Sequence, residues 1–396
     1  MVSKNIFVNI DLDGRVKGYE NALIPVDAHH RLVKHYSSPL LLGPEPSDAL
    51  LALVMHMFSA EEAELAQHLY PLRPKRAEKV ARSSGRPEKE VKAILEHLSS
   101  KKRVLLSYGD PPKYTILPIV PGTFEMALMT PEPGSRNVWH RTFAELFEKI
   151  WDEGYIVDYM KRINSNVRYL PVNGVAESLY SAWPSDRLEE QLDCYDDFAV
   201  GMCQCRMAME FTGEGCGRPL ETCVTMGSSA LNMISRGMMR RAEPEEIIEI
   251  KRNAENQGCV SWMMNTPGGV HKGNTSCSCC GCCCHFMKSI TQFNAPGIVS
   301  KPNFHPVCDI SLCINCGKCS SSCPMSAWKL EGGIPVLDSA RCIGCGLCVL
   351  ACPRGAITLK PVDGDPHEPG WLKYIMDIIP GYVMNSFGIW IKRALR

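Results

Sequence analysis

The sequence has 396 residues, of which 45% are hydrophobic, and its 43 Lys and Arg side chains balance its 43 Asp and Glu side chains. A length near 400 residues favours two or three domains, and this hydrophobic content argues against a disordered chain. A net charge of zero argues against a protein devoted to polyanions.

The cysteines indicate the broad class of the protein. All 21 lie between Cys194 and Cys352. Disulfide scaffolds are usually short and secreted, whereas this chain is long and opens with MVSKNIFVNIDLDG, which lacks the apolar core of a signal peptide. No apolar run reaches the roughly 18–20 residues of a membrane span. We therefore expect a cytoplasmic protein whose clustered thiols bind metal.

The N-terminal part of the chain lacks cysteine and is rich in helical patterns. We expect residues 1–45 to form an irregular extension with a strand-like FVNIDL segment. Apolar residues then recur at helical spacing, and the pattern ends in two short strand-like runs around a Gly-Asp-Pro-Pro turn. The segments in order are DALLALVMHMF, AEEAELAQHLY, KRAEKVARSSG, RPEKEVKAILEHLSSKKR and VLLSYGDPPKYTILPI. This order of helices followed by a hairpin predicts a winged-helix-like domain over 46–118.

Basic side chains in this domain raise the question of DNA binding. The first candidates for contact with a major groove are Arg82, Arg86, Lys89 and Lys92. Glu88 and Glu90 interleave with them, and the chain as a whole is neutral. We expect this domain to dock a protein and do not expect it to bind nucleic acid.

Two copies of one cysteine pattern lie near the C-terminal end. They read CINCGKCSSSCP from Cys313 and CIGCGLCVLACP from Cys342. The spacing C-x2-C-x2-C-x3-C-P is that of bacterial [4Fe–4S] ligands. A zinc ribbon is the alternative, but it needs two C-x2-C pairs for each site.

This segment, over about 308–362, resembles a bacterial two-[4Fe–4S] ferredoxin. By that resemblance, the fourth cysteine of each run joins the first three of the other run. The two ligand sets it implies are Cys313, Cys316, Cys319 and Cys352 for one cluster, and Cys342, Cys345, Cys348 and Cys323 for the other.

Ten more clustered cysteines precede the ferredoxin-like runs. They are Cys203, Cys205, Cys216, Cys223, Cys277, Cys279, Cys280, Cys282, Cys283 and Cys284. In an extended C-x-C both thiols share one side, whereas adjacent thiols point apart, so the stretch CSCCGCCCH can supply ligands to two sites. We expect one or two further [4Fe–4S] clusters here. A structural zinc site using four of the ten, and an atypical cluster with an open iron, are the alternatives.

Several neighbouring residues have less definite roles. We expect the isolated cysteines to be plain buried thiols, with Cys308 the best candidate for more; they are Cys194, Cys259 and Cys308. His285 and His305 are expected to be hydrogen-bonding neighbours rather than ligands. Arg206 is a candidate donor to cluster sulfur or to a partner's carboxylate, or else a surface charge.

A longer resemblance covers about residues 115–360. The pattern C-x-C-R, then G-C-x-x-P-x-E-x-C, then C-x-C-C-x-C-C-C, followed by the two ferredoxin-like runs, resembles a family of multi-cluster 4Fe–4S dicluster-domain proteins of anaerobic bacteria and archaea. TILPIVPGTFEMAL and AELFEKIW fit the lead-in of that family. The resemblance implies ferredoxin-type electron transfer and gives no information about a substrate.

The C-terminal segment GWLKYIMDIIPGYVMNSFGIWIKRALR combines aromatic residues with terminal cations. This composition suits either peripheral contact with the cytoplasmic face of a membrane or packing against protein.

The whole chain is predicted to be an α+β protein. Its predicted domains are an extension at 1–45, the winged-helix-like domain at 46–118, a mostly helical cysteine-rich iron–sulfur domain at 119–300, the dicluster ferredoxin domain at 301–362 and a tail at 363–396. We expect an electron-transfer subunit of a hetero-oligomeric anaerobic oxidoreductase complex, with redox proteins as partners, rather than a stand-alone enzyme. A reductase with its own atypical cluster and an iron–sulfur-dependent winged-helix regulator are the alternatives.

Overall fold

A computed structural model describes most of the chain and divides it into two compact units. The described residues are 25–71, 73–129, 137–155, 157–160, 167–176, 187–264, 274–295, 299–362, 383–384, 386–392 and 394–395. The first unit comprises Met1–Ile156, Met207–Glu214 and Ser386–Arg396, and the second comprises Val157–Arg206 and Gly215–Asn385. The predicted FVNIDL strand lies outside the described residues.

The first unit is mainly helical. Its helices are α1 (Asp27–Tyr36), α2 (Asp48–Met57), α3 (Ala60–Ala66), α4 (Ala77–Ser84), α5 (Glu88–Glu96), α6 (Phe124–Leu128) and α7 (Val138–Asp152), and its strands are β1 (Lys75–Arg76), β2 (Leu105–Tyr108) and β3 (Lys113–Ile116). The strands form one antiparallel sheet in the order β1-β3-β2. Ser59 and Glu62 form a capping box at α3, and Gly85 ends α4 in a left-handed conformation.

Helix α1 corrects the expectation that residues 1–45 are irregular. Its buried side chains lie on one face at helical spacing, and they include Ala28, Leu32, Val33 and Tyr36. The segment is short and contains three histidines among its ten residues, DAHHRLVKHY, which weakens the apolar signal in the sequence.

The cysteine-rich part of the second unit contains a sheet that the sequence did not predict, although its helices still hold more residues than its strands, as predicted. Its strands are β4 (Val167–Tyr169), β5 (Phe198–Met202), β6 (Glu221–Met226), β7 (Arg240–Arg241), β8 (Val260–Met264) and β9 (Thr275–Cys279). They form one six-stranded sheet in the order β4-β8-β9-β6-β5-β7, with every pair antiparallel. The strands are short and carry cysteines. A cysteine that is interpreted as a ligand is not counted as an inward-facing residue, so the alternating pattern that predicts a strand is easily missed.

Helices precede, separate and follow these strands along the chain. They are α8 (Val157–Met160), α9 (Asn173–Ala176), α10 (Leu188–Leu192), α11 (Gln204–Thr212), α12 (Ser228–Ser235), α13 (Pro244–Asn256) and α14 (His285–Thr291). Helix α13 presents Ile247, Lys251 and Ala254 as its buried residues. Helix α11 begins directly after Cys203 and therefore carries Cys205 and Arg206 in its first turn.

The ferredoxin-like runs lie between two small antiparallel pairs of strands. One pair is β10 (Phe304–Cys308) with β13 (Ile357–Pro361), and the other is β11 (Trp328–Glu331) with β12 (Ile334–Leu337). The hairpin β11–β12 connects the two runs, and each run contains one short helix, α15 (Lys318–Ser322) or α16 (Leu347–Ala351). The described chain is therefore of the α+β class.

The described helical residues 386–392 belong to the first unit. The Ser386 hydroxyl donates to the Pro39 carbonyl at 3.2 Å, and Ile389 is buried. Phe387 and Trp390 are exposed and stack on each other with ring centroids 5.9 Å apart. Among the described residues, no helix has both the length and the apolar character required to cross a membrane.

Candidate iron–sulfur sites

The two ferredoxin-like runs fold into halves that make equivalent backbone bonds to sulfur. In the first half, the backbone N–H of Asn315 donates to Cys313 Sγ at 3.4 Å. In the second half, the backbone N–H of Gly344 donates to Cys342 Sγ at 3.5 Å. Asn315 and Gly344 both have positive φ, so the same tight turn follows the first cysteine of each run.

The fourth cysteine of each run is also held in an equivalent way. Cys323 Sγ accepts a bond from the backbone N–H of Ala327 at 3.4 Å, and Cys352 Sγ accepts one from that of Ala356 at 3.2 Å. Donation to sulfur stabilises a thiolate, which is the form that binds metal.

The fold brings the eight cysteines together crosswise. One cavity is lined by Cys342, Cys345, Cys348 and the distant Cys323. A second cavity is lined by Cys313, Cys316, Cys319 and the distant Cys352, together with Cys308. Each cavity therefore holds three thiols of one run and the last thiol of the other, which is the arrangement that the ferredoxin resemblance implies. The donor chemistry fits two [4Fe–4S] clusters.

The ten upstream cysteines divide into smaller groups. In the first four-thiol group, the Sγ atoms all lie within 4.8 Å of one another; its members are Cys216, Cys280, Cys282 and Cys283. Donation from Cys283, together with the positive charge of Arg206, lowers the pKa of Cys280 well below its usual range despite burial. Cys282 is exposed, and Arg218 donates to its Sγ at 3.4 Å.

The second four-thiol group centres on Cys284. Cys205 and Cys279 donate hydrogen bonds to the Cys284 thiol and hold its pKa well below its usual range, and the charge of Cys203 acts on both donors. We define this group as Cys203, Cys205, Cys279 and Cys284; the charge of Cys203 also acts on Cys277, and that of Cys223 acts on Cys203. The stretch CSCCGCCCH therefore supplies three thiols to the first group and two to the second. The adjacent Cys279 and Cys280 belong to different groups, as the alternation predicts, whereas the adjacent Cys282 and Cys283 share one.

Ring donors surround the second group. Trp262 Nε1 donates to Cys279 Sγ at 3.1 Å, the Tyr169 hydroxyl lies 3.6 Å from Cys284 Sγ, and His285 Nδ1 lies 3.3 Å from Cys205 Sγ. His285 is thus a neighbour that bonds to sulfur, as expected. The two aromatic donors were not identified from the sequence, because nothing in their local pattern distinguishes them from core residues.

The remaining two of the ten thiols form a pair. Cys277 Sγ lies 3.9 Å from Cys223 Sγ, across the neighbouring strands β9 and β6. Lys251 is only 1% exposed, and its Nζ donates to the Ser276 hydroxyl at 2.9 Å. Burial lowers the pKa of Lys251, while the thiols of Cys277 and Cys223 oppose that effect. The periodicity of α13 could have revealed this lysine, since it stands between two apolar inward positions.

Arg206 lies beside the first four-thiol group and is only 2% exposed. Its guanidinium donates to the Ser278 carbonyl at 2.8 Å and to the Thr222 hydroxyl, and it reaches Cys259 Sγ at 3.7 Å and Cys280 Sγ at 3.9 Å. Because its guanidinium is buried, Arg206 is not a surface charge, which was one of the three roles considered from the sequence.

Arg206 also provides a test of whether a metal–sulfur group fits this site. Its Nε is buried without a hydrogen-bond partner among the described residues. None of the ion pairs described for this structure joins Arg206 to a carboxylate. A buried cation is costly unless anionic groups compensate it, and the anionic sulfur of a metal-bound cluster supplies that charge.

The three isolated cysteines have different environments. Cys259 is buried as expected and lies beside Arg206. Cys194 is exposed, contrary to expectation, because it falls in the turn after α10. Cys308 is half-buried and lines the same ferredoxin-like cavity as Cys313, with which its thiol forms a hydrogen bond. His305 is on β10, and its Nδ1 is buried without a hydrogen-bond partner among the described residues, contrary to the expected hydrogen bond.

The cysteine stretch and the ferredoxin-like runs pack on each other within the second unit. A Cβ atom on Gly281 would lie 2.1 Å from the carbonyl oxygen of Pro324, so only glycine fits this approach. One buried core contains residues of both parts: Tyr169, Trp262, Cys279 and Cys284 from the first, and Ile343, Cys345 and Leu347 from the second. The backbone N–H of Val172 also donates to the Cys345 carbonyl at 2.9 Å.

Comparison with known proteins supports the iron–sulfur interpretation. Residues 335–358 match the family model of the 4Fe-4S binding domain. No curated protein and no solved structure gives a significant match to the chain. The matched segment includes Cys342, Cys345, Cys348 and Cys352. The chain therefore contains a 4Fe–4S binding domain, and its cysteine clusters are those of an iron–sulfur protein.

Proposed function

We propose that this chain is a multi-cluster iron–sulfur electron-transfer protein and a subunit or partner of an anaerobic oxidoreductase complex. The observation that carries the proposal is the core shared by the upstream cysteines and the ferredoxin-like runs. Electron tunnelling weakens steeply with distance, so cluster sites joined by one core suit conduction.

The proposal assigns four [4Fe–4S] clusters, each held by four thiols. Two use the crosswise sets of the ferredoxin-like runs, as the resemblance implies. The other two use the first four-thiol group, around Cys280, and the second, around Cys284. Bound clusters supply one-electron redox chemistry, and the chain's own residues set their potentials through N–H···S bonds and burial.

Two of the proposed cluster sites have a thiol that is open to solvent. Cys282 belongs to the first four-thiol group, and Cys316 lines the second ferredoxin-like cavity, together with Cys313. Both thiols are exposed. Exposed aliphatic residues lie on the loop around the latter: Ile310, Leu312 and Ile314. Lys318 and Arg354 line the same cavity. This surface fits a redox protein that presents apolar and acidic residues around its own cofactor.

The helices and hairpin of the first unit fit a winged-helix-like docking module. Arg86, a candidate for DNA contact, instead forms ion pairs with Glu61 at 2.8 Å and Glu90 at 2.9 Å. Paired charges leave a weaker basic surface, which favours protein docking over nucleic acid. The exposed pair Phe387 and Trp390 is a candidate for peripheral membrane contact.

Metal analysis of anaerobically reconstituted protein, with Mössbauer spectroscopy, tests the proposal. Four clusters predict about sixteen iron atoms per chain, all in [4Fe–4S] form. The double variant Cys282→Ser/Cys283→Ser is expected to lose about four of them. Cys194→Ser, outside every group, serves as the matched control and keeps them all. About eight iron atoms with one zinc would refute the assignment of the upstream groups.

A further inference from the structure

One of the two ferredoxin-like cavities contains a fifth thiol. Cys308 lines this cavity together with the four cysteines assigned to its cluster, which are Cys313, Cys316, Cys319 and Cys352. It also packs against the same small core as Cys319 and Cys352. A cubane cluster takes four thiolates, so five thiols around one such site are one more than the cluster binds.

The internal repeat of this part of the chain identifies the additional thiol. The segment PVCD, at 306–309, and the segment PVLD, at 335–338, each begin seven residues before the first cysteine of a run. Each cysteine of one run has a counterpart at the same place in the other run. Cys308 instead corresponds to Leu337, so Cys308 is the fifth thiol and not one of the repeated ligands.

Backbone hydrogen bonds show that the two segments are equivalent in the structure. The N–H of Asp309 donates to the Ala356 carbonyl at 2.7 Å. The N–H of Asp338 makes the corresponding bond to the Ala327 carbonyl, also at 2.7 Å. Ala327 and Ala356 are the residues whose own N–H groups donate to the last cysteine of each run. The same backbone frame therefore serves both halves, and a thiol replaces the leucine in one of them.

We propose that Cys308 is a reserve ligand of the cluster in this cavity, which takes the iron position of Cys313 when Cys313 is displaced. The proposal rests on the cluster assignment made above. A tight turn joins the two residues: the N–H of Leu312 donates to the Asp309 carbonyl at 3.2 Å. The N–H of Cys313 donates to the Ile310 carbonyl, also at 3.2 Å. The turn brings the two thiols to the same side of the cavity, so Cys313 is the ligand that Cys308 can replace.

The exchange is a ligand substitution without electron transfer. The Fe–S bond to Cys313 breaks, the thiol proton of Cys308 passes to the departing Cys313 sulfur, and Cys308 forms the new Fe–S bond. The cluster keeps four thiolates, and its charge and oxidation state do not change.

The reserve ligand lies at the more exposed of the two ferredoxin-like cavities. Cys316 is exposed, whereas the four thiols of the other cavity are buried or half-buried; they are Cys323, Cys342, Cys345 and Cys348. Water and dissolved thiols can displace a ligand most easily where the site is open to solvent. A fifth thiol therefore has the greatest effect in this cavity.

Alanine variants of the full, cluster-loaded protein test the reserve ligand, because the repeat supplies a matched position without one. Cys313→Ala is expected to keep the iron content and the Mössbauer spectrum of the wild type. Cys342→Ala, whose half has Leu337 in place of a thiol, is expected to lose iron and to give the EPR signal of a [3Fe–4S] cluster. Cys308→Leu/Cys313→Ala is expected to behave like Cys342→Ala. Loss of iron from Cys313→Ala alone, or full iron in the double variant, would overturn the proposal.

The single variant Cys308→Leu keeps the proposal testable if Cys313→Ala does not fold. It carries the side chain that the repeat has at this position, so it is expected to fold and to bind the wild-type amount of iron. During an anaerobic challenge with an iron chelator, it is expected to release the iron of one cluster severalfold faster than the wild type. Equal release rates with about sixteen iron atoms in both proteins would refute the reserve ligand alone, whereas a wild-type count of about eight with one zinc would refute the cluster assignment.

Discussion

Arg206 offers the sharpest test of how the chain controls its iron–sulfur sites. The guanidinium is buried and lies 3.9 Å from Cys280 Sγ. Arg206→Met removes the positive charge while keeping much of the side-chain volume. Arg206→Lys keeps the charge but loses the planar set of donors that reaches Ser278 and Thr222.

The size of the effect follows from the distance between the charge and the sulfur. At an effective dielectric constant of about 20, a unit charge 3.9 Å from another contributes about 4 kcal/mol. The added electron spreads over a whole cluster, at about twice that distance, which gives about 2 kcal/mol. For a one-electron couple this corresponds to a reduction potential on the order of 100 mV more negative without the charge.

An EPR-monitored redox titration of the anaerobic protein measures this shift. Arg206→Met is expected to lower the midpoint potential of one cluster, and Arg206→Lys to change it far less while reducing thermal stability. Arg218→Met is the matched control, since Arg218 also contacts the first four-thiol group, at Cys282, but is partly exposed and screened by water. An unchanged midpoint in an iron-complete Arg206→Met protein would refute the reasoning.

Two further variants test the packing and the bonds to sulfur. Gly281→Ala is expected to destabilise the protein by about 1–3 kcal/mol, because the new Cβ overlaps the Pro324 carbonyl; thermal unfolding measures this, with Gly388→Ala, which meets no atom within 4 Å, as the neutral control. Trp262→Phe removes the N–H donor to Cys279 and is expected to lower one midpoint potential by roughly 40 mV, the equivalent of about 1 kcal/mol, without loss of iron; an equal midpoint in both proteins would contradict this role.

The sequence predicted the local features of the chain well. The helices α2 to α5 and the hairpin β2–β3 lie where the apolar periodicity and the Gly-Asp-Pro-Pro turn placed them. The alternation within CSCCGCCCH predicted that neighbouring thiols would serve different groups, which holds for Cys279 and Cys280 but not for Cys282 and Cys283. Such features depend on residues that are close together in the chain, and local spacing encodes them.

The sheet of the second unit and the buried charges could not be predicted in this way. Strand β9 pairs with β6 and β8, and the register of those pairs brings Cys223 to Cys277. From the local sequence, Arg206 is indistinguishable from a charged residue on the surface of a helix. Only the tertiary structure shows that it is enclosed among sulfur atoms. These features depend on contacts between distant parts of the chain, which a single sequence does not specify.

The distribution of exposure favours conduction over catalysis as the role of the upstream groups. A reductase site needs a pocket that admits a substrate to the metal, yet the second four-thiol group is enclosed by Tyr169, Trp262 and the ferredoxin-like core. Within the cysteine groups, the exposed thiols Cys282 and Cys316 instead belong to different sites. In the proposed function, electrons would enter at one exposed group and leave at another while the enclosed groups stay protected from water and oxidants.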